Sequence, residues 1–476
     1  MKGLPVDSLE SQTSPRTRAH RILRQFSFAA LVSLLVLRLS SVSFEHIADA
    51  ARDVKWVVTP LPKDPHKRAL ALMHRAPVID GHIDLPILAR WYYANDVEDP
   101  SFDLREEIRG QVDIPRLRKG QTGGFFHSVY VPCPEDAGYP SQNEGNFTTA
   151  TWRVRDTLEQ IDTARLVIDK YTDTFELSRT ARDWKKAMRR GKIGGMLGVE
   201  GGHQIGSSLS AIRAYYDLGV RYITLTHSCH SPLADSCGLP GQVPIKPRWD
   251  GLSPFGLTAV KEMNRLGMLV DISHTHPKTA SDVLTHSLAP PIFSHSNARG
   301  VFDVVRNVPD SILRRIGSID KSRRGTFNLS DDGEGGKGWG ADTGEIDKPI
   351  PSGDSIVMLN FSPGFVGPDA DVNAMADHAD YVGCLAGREH VGIGSDFDGI
   401  EAVPRGLEDV SKYPNLVAEL IERGWSDREV MGLTSGNLLR VLEKAEAVAR
   451  SQRHVQPYYE VFSGRTDLVK HDSPPY

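Results

Sequence analysis

The sequence is poor in cysteine and has almost no excess of charge, and each shortage argues against a class of protein. Four cysteines in 476 residues are too few for a disulfide-dominated scaffold, and they lack the spacing of a cysteine metal site. The 56 basic and 61 acidic residues leave a formal net charge of −5, which argues against nucleic acid as the main partner. No Gly-rich dinucleotide fingerprint joins a predicted strand to a predicted helix. With 39% hydrophobic and 25% charged residues, the composition is that of a globular protein of one large or two smaller domains.

Long hydrophobic stretches are scarce too, and the longest lies near the N-terminus. "FSFAALVSLLVL", Phe26 to Leu37, is short for a membrane span of roughly 20 residues, but 26–44 reaches that length if Arg38 extends its charge to the interface. It predicts a signal anchor with a cytoplasmic N-terminus or, alternatively, a cleaved signal peptide. Either alternative puts the chain after about residue 45 in the secretory lumen or outside the cell. We therefore expect a single-pass membrane protein with a lumenal or extracellular catalytic domain, or a secreted protein.

Glycosylation acceptors agree with that compartment. The sequons at Asn146 and Asn328 lie in polar surroundings and predict a glycoprotein. The sequon at Asn360 lies in "IVMLNFS", which we expect to be a buried strand.

From about residue 70, short apolar runs that end in a polar residue alternate with amphipathic stretches of helical period, such as "SLSAIRAYYDLG" and "GLTAVKEMNRLG". The eight runs are "PVIDGHID", "GGFFHSVYVP", "GGMLGVEGG", "VRYITLTH", "GMLVDISH", "PPIFSHS", "SIVMLNFSP" and "HVGIGSDFDG". Eight strands alternating with helices predict a parallel sheet and an α/β fold, the (β/α)8 TIM barrel; a doubly wound open sheet is the alternative.

The same pattern predicts the organisation of the chain. We expect a leader or cytoplasmic segment (1–25), the hydrophobic segment (26–44), a linker (45–69), the barrel domain (70–450) and a peripheral tail (451–476). The stretch 321–354 is rich in Gly, Asp and Lys and poor in apolar residues, which predicts a surface insertion.

Ligand-type side chains stand where the predicted strands end. In "VIDGHIDLP", His82 and Asp84 alternate with Ile83, so that both would point to one face of a strand. In a barrel the carboxyl ends of the strands meet at one mouth, and imidazoles and carboxylates are the ligands of divalent ions such as zinc. The sequence therefore predicts a metal site at this mouth. Its candidates are His82, Asp84, Glu200, His227, His274, His295 and Asp396.

Eight motifs carry a resemblance to a known family. "DGHIDLP", "GVEGG", "RYITLTH", "DISH", "IFSHS", "RNVPD", "GIGSDFDG" and "GNLLRV" resemble the membrane dipeptidases, which belong to the metal-dependent amidohydrolase barrels. The resemblance implies a (β/α)8 barrel with two Zn²⁺ ions that hydrolyses dipeptides. Two adjacent metals can share a hydroxide and polarise a peptide carbonyl.

The resemblance also implies roles for individual residues. His82 and Asp84 would hold one zinc, His274 and His295 the other, and Glu200 would bridge them. His227 would contact the substrate carbonyl, Arg306 of "RNVPD" would bind the dipeptide's carboxylate, and Asp396 would move protons, with Asp396 and Glu200 as the catalytic pair.

The resemblance further implies a disulfide between Cys133 and Cys229, with Cys237 and Cys384 outside it. The sequence leaves a homodimer open. Members commonly carry a C-terminal lipid anchor, whereas this chain would attach through its N-terminal segment.

Other functions stay open from the sequence. A deaminase or lactonase of the same barrel class would use similar ligands, but such enzymes often bridge their metals through a lysine that "RYITLTH" lacks. A dipeptidase acting on cysteinylglycine conjugates in a specialised pathway is a narrower alternative. A non-catalytic binding protein is disfavoured because none of the ligands is missing.

Overall fold

Parallel strands close into a barrel around which the helices pack. The computed structural model describes residues 60–133, 152–241, 245–317 and 354–463, together with residues 465 and 468. In these residues there are nine strands, all with parallel partners. They are β1 (Val78–Ile83), β2 (Thr122–Tyr130), β3 (Phe175–Leu177), β4 (Ile193–Glu200), β5 (Val220–Thr224), β6 (Leu269–Asp271), β7 (Ile292–Phe293), β8 (Ile356–Leu359) and β9 (Val391–Ile393).

The strand order shows the closure. The order is β2-β1-β9-β8-β7-β6-β5-β4-β3, and β2 pairs in addition with β4, so that eight strands form a closed ring. The eight strands of the ring are the eight predicted from the apolar runs, and the (β/α)8 TIM barrel is confirmed; the open doubly wound sheet is wrong. The additional strand β3 pairs with the first residues of β4.

Most of the described helices lie between strands in the chain, while one precedes β1 and three follow β9. They are α1 (Pro65–Arg75), α2 (Leu85–Tyr93), α3 (Ile114–Lys119), α4 (Trp152–Lys170), α5 (Ala181–Arg189), α6 (Leu209–Leu218), α7 (Pro254–Leu266), α8 (Pro277–His286), α9 (Asp310–Ile316), α10 (Pro363–Val366), α11 (Val372–Leu385), α12 (Tyr413–Glu422), α13 (Asp427–Met431) and α14 (Asn437–Ser451). Local sequence fixes many of their starts. Ser253, for example, accepts a hydrogen bond from the Gly256 N–H ahead of Pro254, the first residue of α7.

The interior of the barrel is filled by large side chains that need small partners. Phe126, Met196, Tyr222 and Met358 are buried there in one cluster. A Cβ on Gly198 would lie 2.0 Å from the Tyr222 ring, so only glycine leaves room for Tyr222 at this point. This packing directs the Tyr222 hydroxyl towards the end of β1.

Several expectations fall outside the described residues: the hydrophobic segment 26–44, the sequons at Asn146 and Asn328, and the insertion 321–354 apart from Asp354. Among the helices that the structure does describe, none combines the length and the apolar character that a membrane span requires. Asn360 is fully buried directly after β8, as its sequence surroundings predict.

The predicted disulfide is confirmed. Cys133 and Cys229 are joined, with their Cα atoms 6.1 Å apart. Cys237 and Cys384 are buried and take no part in this disulfide.

Candidate metal centre and active-site cleft

The ends of six strands of the ring bring the predicted ligand residues to one rim. His82 lies on β1 and Asp84 directly after it, Glu200 is the last residue of β4, and His227, His274, His295 and Asp396 follow β5, β6, β7 and β9. Six of the seven side chains have at most 16% of their surface exposed, and Asp396 is half-buried. Their convergence matches the sequence-based expectation.

One oxygen of Glu200 faces two imidazoles. Glu200 Oε1 lies 3.0 Å from His274 Nε2 and 3.2 Å from His295 Nε2, and these two nitrogens are 2.9 Å apart. Three atoms that can each offer a lone pair repel one another at such distances unless protons or a cation lie among them. A divalent cation fits this donor set.

The other oxygen of Glu200 faces a second group. Glu200 Oε2 lies 3.6 Å from His82 Nε2, which in turn is 3.3 Å from Asp84 Oδ2. His82 Nε2 is buried without a hydrogen-bond partner among the described residues. A buried polar atom of this kind is costly unless something binds it. Glu200 thus stands between two candidate ligand groups, one on each of its oxygens.

Burial and neighbouring charges shift the pKa values of these groups. Burial lowers the pKa values of His274 and His295 well below the usual range, and Arg306 or His82 nearby lowers them further. Burial opposes protonation of His82 as well, but the Glu200 and Asp84 carboxylates raise its pKa well above the usual value. The carboxylates of Glu200 and Asp84 therefore favour positive charge at His82.

Asp396 stands beside Asp84 at the edge of this cluster. Burial and the Asp84 carboxylate raise the pKa of Asp396 to about 7. Asn360 Nδ2 donates a hydrogen bond to Asp396 Oδ2 (2.8 Å) and so orients the carboxylate. Both carboxylates lie close to Gly399. A Cβ at this position would come within 2.3 Å of Asp84 Oδ2 and 2.8 Å of Asp396 Oδ1, so a larger residue would displace them.

Two of the site residues have a backbone conformation that few residues other than glycine adopt. His274 has φ 62° and Asp396 has φ 65°, in the left-handed region. Such residues cost roughly 1–3 kcal/mol and cluster at functional sites, where the surrounding structure holds them in place. Each of the two residues lies three positions after the end of a strand.

The cluster lines the floor of an open cleft. The cleft encloses about 420 Å³ and is bounded by Asp84, Glu200, His227, His274, Arg306 and Asp396, with apolar walls from Ile87, Trp91, Leu239, Phe365 and Ile400. Concave, mostly apolar sites with a few convergent polar groups are typical of small-molecule binding.

Arg306 and His227 line the cleft beside the candidate metal cluster. Arg306 is 3% exposed, and the hydrogen bonds of its guanidinium to other described residues are long: 3.4 Å to the Ser296 hydroxyl and 3.3 Å to the His295 carbonyl. Its Nε has no partner among the described residues. His227 Nε2 is 3.8 Å from Glu200 Oε1, while its Nδ1 is 3.0 Å from the Ser228 hydroxyl. Arg306 therefore retains donors that a bound substrate can use.

Geometry alone suggests further ligand groups. His227 groups with Glu200 and His274, and Asp396 with His82 and Asp84, each with ligand atoms within 4.8 Å of one another. A third group, Cys133, His203 and Cys229, does not fit a metal because its two sulfur atoms are already joined in the disulfide.

Several supporting residues were not singled out from the sequence. The Tyr222 hydroxyl lies 2.9 Å from His82 Nδ1, and the Ser294 hydroxyl lies 2.7 Å from His295 Nδ1. Asp80 accepts hydrogen bonds from the His82 N–H (2.9 Å) and the Tyr413 hydroxyl (2.6 Å) beneath the site. Period-2 alternation marks Asp80 as a neighbour of His82 on the same face, but the partners from other strands leave no sequence signal.

The closed (β/α)8 barrel with imidazoles and carboxylates at its carboxyl rim defines a metal-dependent hydrolase of the barrel type. The family model for membrane dipeptidase (peptidase family M19) matches residues 66–320 and 348–456. The chain therefore belongs to the membrane dipeptidase family, a metal-dependent family, and it is a metallo-dipeptidase.

Individual relatives agree with the family. Dipeptidase aclJ of Aspergillus oryzae is 40% identical over 413 residues, which cover 84% of this chain and 87% of that protein. The uncharacterized dipeptidase C3A11.10c of Schizosaccharomyces pombe is 38% identical over 453 residues, covering 94% and 95%. A metallo peptidase from Rhodobacter sphaeroides, solved with a phosphinate mimic of the dipeptide L-Ala-D-Ala, is 25% identical with a TM-score of 0.59, covering 78% of this chain and 99% of that one.

Proposed function

We propose that the enzyme is a zinc-dependent dipeptidase that holds two zinc ions. His82 and Asp84 would hold one ion, His274 and His295 the other, and Glu200 would bridge them. The observation that carries the proposal is the position of Glu200, whose two oxygens face the two imidazole groups separately, at 3.0 and 3.2 Å on one side and 3.6 Å on the other. When bound, the two ions would supply Lewis acidity that activates a water molecule and polarises the peptide carbonyl.

The residues around the cluster would carry the remaining steps. Asp396, oriented by Asn360, would accept the proton of the attacking water and return it to the leaving amine. His227 would donate a hydrogen bond from its Nε2–H to the oxygen of the tetrahedral intermediate. This tautomer follows if the Ser228 hydroxyl donates to His227 Nδ1. A fixed donor in a buried site stabilises such an oxygen without reorganising.

Arg306 would select short peptides by binding their C-terminal carboxylate. Its planar guanidinium can donate two parallel hydrogen bonds to a carboxylate, and its present hydrogen bonds of 3.3 and 3.4 Å are long enough to be exchanged for shorter ones. In a longer peptide the C-terminal carboxylate would lie beyond Arg306 when the scissile bond is at Glu200. The dipeptide mimic bound by the relative from Rhodobacter sphaeroides supports the same substrate class.

We also propose that residues 26–44 anchor the chain in a membrane, with the barrel on the lumenal or extracellular side. The support is the apolar run flanked by arginines and the Cys133–Cys229 disulfide, which forms and persists in oxidising compartments. Protease protection of the barrel in sealed microsomes would test this topology, since a cytoplasmic barrel would be digested without detergent.

One experiment tests the dipeptidase proposal directly. The purified full chain would be assayed against a panel of dipeptides after chelation and after addition of zinc, with elemental analysis of the metal content. We expect activity only with metal, about two zinc ions per chain, and little cleavage of the same dipeptides carrying a C-terminal amide. Full activity after complete removal of metal would overturn the metal assignment. Equal cleavage of the amides would overturn the role of Arg306.

A further inference from the structure

A buried carboxylate below the metal cluster joins the ends of three neighbouring strands. Asp271, the last residue of β6, is fully buried and accepts four hydrogen bonds. Its Oδ1 accepts from the backbone N–H groups of Ser273 (3.0 Å) and Ser294 (2.9 Å). Its Oδ2 accepts from the hydroxyls of Thr224 and Ser294, both at 2.6 Å. The residue therefore fixes the segments that carry His274 and His295.

The hydroxyl of Ser294 has a determined direction. It has one proton and lies 2.6 Å from Asp271 Oδ2 and 2.7 Å from His295 Nδ1. Two backbone N–H groups and the Thr224 hydroxyl already donate to the Asp271 carboxylate, and two acceptor atoms at 2.6 Å without a proton between them would repel. The Ser294 proton therefore points to Asp271, and the serine oxygen accepts the proton of His295 Nδ1.

This direction fixes the tautomer of His295. A neutral imidazole with its proton on Nδ1 has its lone pair on Nε2, the atom that lies 3.2 Å from Glu200 Oε1 and 2.9 Å from His274 Nε2. The opposite tautomer would direct an N–H bond into the cluster, where it would block a cation. His274 differs, because its own Nδ1 has no hydrogen-bond partner among the described residues.

We propose that Asp271 and Ser294 are positioning residues that set the tautomer and orientation of His295 for metal binding, through an Asp271–Ser294–His295 relay. The inference rests on the proposed function, in which His295 is a metal ligand. Hydrogen-bonded partners of this kind typically change metal affinity by about 10- to 100-fold when they are removed.

Thr224 provides a matched control. Thr224 and Ser294 are both fully buried, and each donates one hydroxyl to the same oxygen of Asp271 at 2.6 Å, but only Ser294 continues to a histidine. Ser294→Ala and Thr224→Val thus remove equivalent hydrogen bonds from Asp271. Only the first removes the link to His295.

The test is the zinc affinity of the purified full chain, measured by competition with a chromophoric chelator, together with the absorption spectrum of the Co²⁺-substituted protein. We expect Ser294→Ala to weaken zinc binding at one of the two sites by about 10- to 100-fold and to change the Co²⁺ spectrum. Thr224→Val should stay within about threefold of the wild type, because His295 keeps its partner. Wild-type affinity in Ser294→Ala, or an equal loss in Thr224→Val, would overturn the relay.

Asp271→Asn gives a second, sharper test. If its amide group replaces Oδ2, it would donate to the Ser294 oxygen, so that the serine proton turns towards His295 Nδ1 and leaves the His295 proton on Nε2. We therefore expect Asp271→Asn to lose more zinc affinity than Ser294→Ala, in a protein whose circular dichroism matches the wild type. A smaller loss in Asp271→Asn contradicts the proposed direction of the relay. A wild type that binds no zinc would instead refute the proposed function.

Discussion

His127 offers a test of the energetics of the barrel wall that is independent of the active site. It lies on β2 with its ring centroid 4.3 Å from that of Phe125, and a Cβ on Gly195 would come within 2.9 Å of its Nε2. The side chain is fully buried, and neither ring nitrogen has a hydrogen-bond partner among the described residues. Leaving a buried polar group without a partner costs about 1–3 kcal/mol. We expect His127→Leu, an apolar change of similar size, to leave stability at pH 8 unchanged or to raise it.

The pH dependence gives the magnitude. Burial lowers the pKa of His127 from 6.5 to about 3, so the unfolded chain binds a proton below pH 6.5 that the folded chain binds only near pH 3. His127 therefore costs no stability well above pH 6.5, and its cost to the folded state grows as the pH decreases below 6.5. Between about pH 8 and about pH 5.5, this one histidine should cost the folded state about 1.4 kcal/mol. His127→Leu should lack this loss.

The assay is urea denaturation at both pH values in a chelating buffer, with unfolding monitored by tryptophan fluorescence. Other titrating groups act equally in the wild type and the variant, so the difference between the two proteins isolates His127. A difference that does not change with pH would refute the reasoning. So would a variant that is less stable than the wild type at both pH values by more than about 1.5 kcal/mol, the usual upper cost of swaps that conserve volume.

His378 supplies the control for this experiment. It is buried and its pKa is lowered to about 4 by burial, but Nδ1 accepts from the Ala298 N–H (3.2 Å) and Nε2 donates to the Val366 carbonyl (3.1 Å). His378→Leu should therefore destabilise the protein at pH 8 by about 1–3 kcal/mol, in contrast to His127→Leu. The comparison separates the loss of a buried histidine from the loss of its hydrogen bonds.

Three further variants test the proposed active site. Glu200→Ala should lose bound zinc because both ligand groups lose their shared carboxylate; full occupancy by elemental analysis would contradict the bridging role. Asp396→Asn should keep its metal content, yet turnover should fall by about 10²- to 10⁴-fold; unchanged kcat would exclude proton transfer by Asp396. Arg306→Lys should raise KM for free dipeptides by about 10-fold or more, since one ammonium cannot replace two parallel hydrogen bonds. Its KM for the C-terminal amides should change little, and an equal rise for both substrates would place Arg306 outside carboxylate binding.

The sequence predicted the barrel because burial on both faces gives a parallel strand a continuous apolar run. Even β7, with two residues, was found, since "PPIFSHS" carries that run and a polar end. The short strand β3 was missed, because "FEL" pairs only with the start of β4 and contains no such run. Secondary structure that depends on one neighbouring strand leaves little trace in composition or period.

The candidate site was predictable in its residue types and less so in its directions. Strict alternation along "DISH" would place Asp271 and His274 on opposite faces of β6. In the structure both lie next to the same cluster. Asp271 accepts a hydrogen bond from the Ser294 hydroxyl, and His274 Nε2 lies against His295 Nε2. The left-handed backbone at His274 (φ 62°) ends the alternation and turns the imidazole back over the barrel. Histidine is enriched several-fold in this conformation, but such residues are still uncommon, so the residue type alone does not predict the turn. The relay below it depends on register across two strands, because Ser294 follows β7 and Asp271 ends β6. Distances between such residues follow from the closure of the barrel, and a linear pattern of residue types does not contain them.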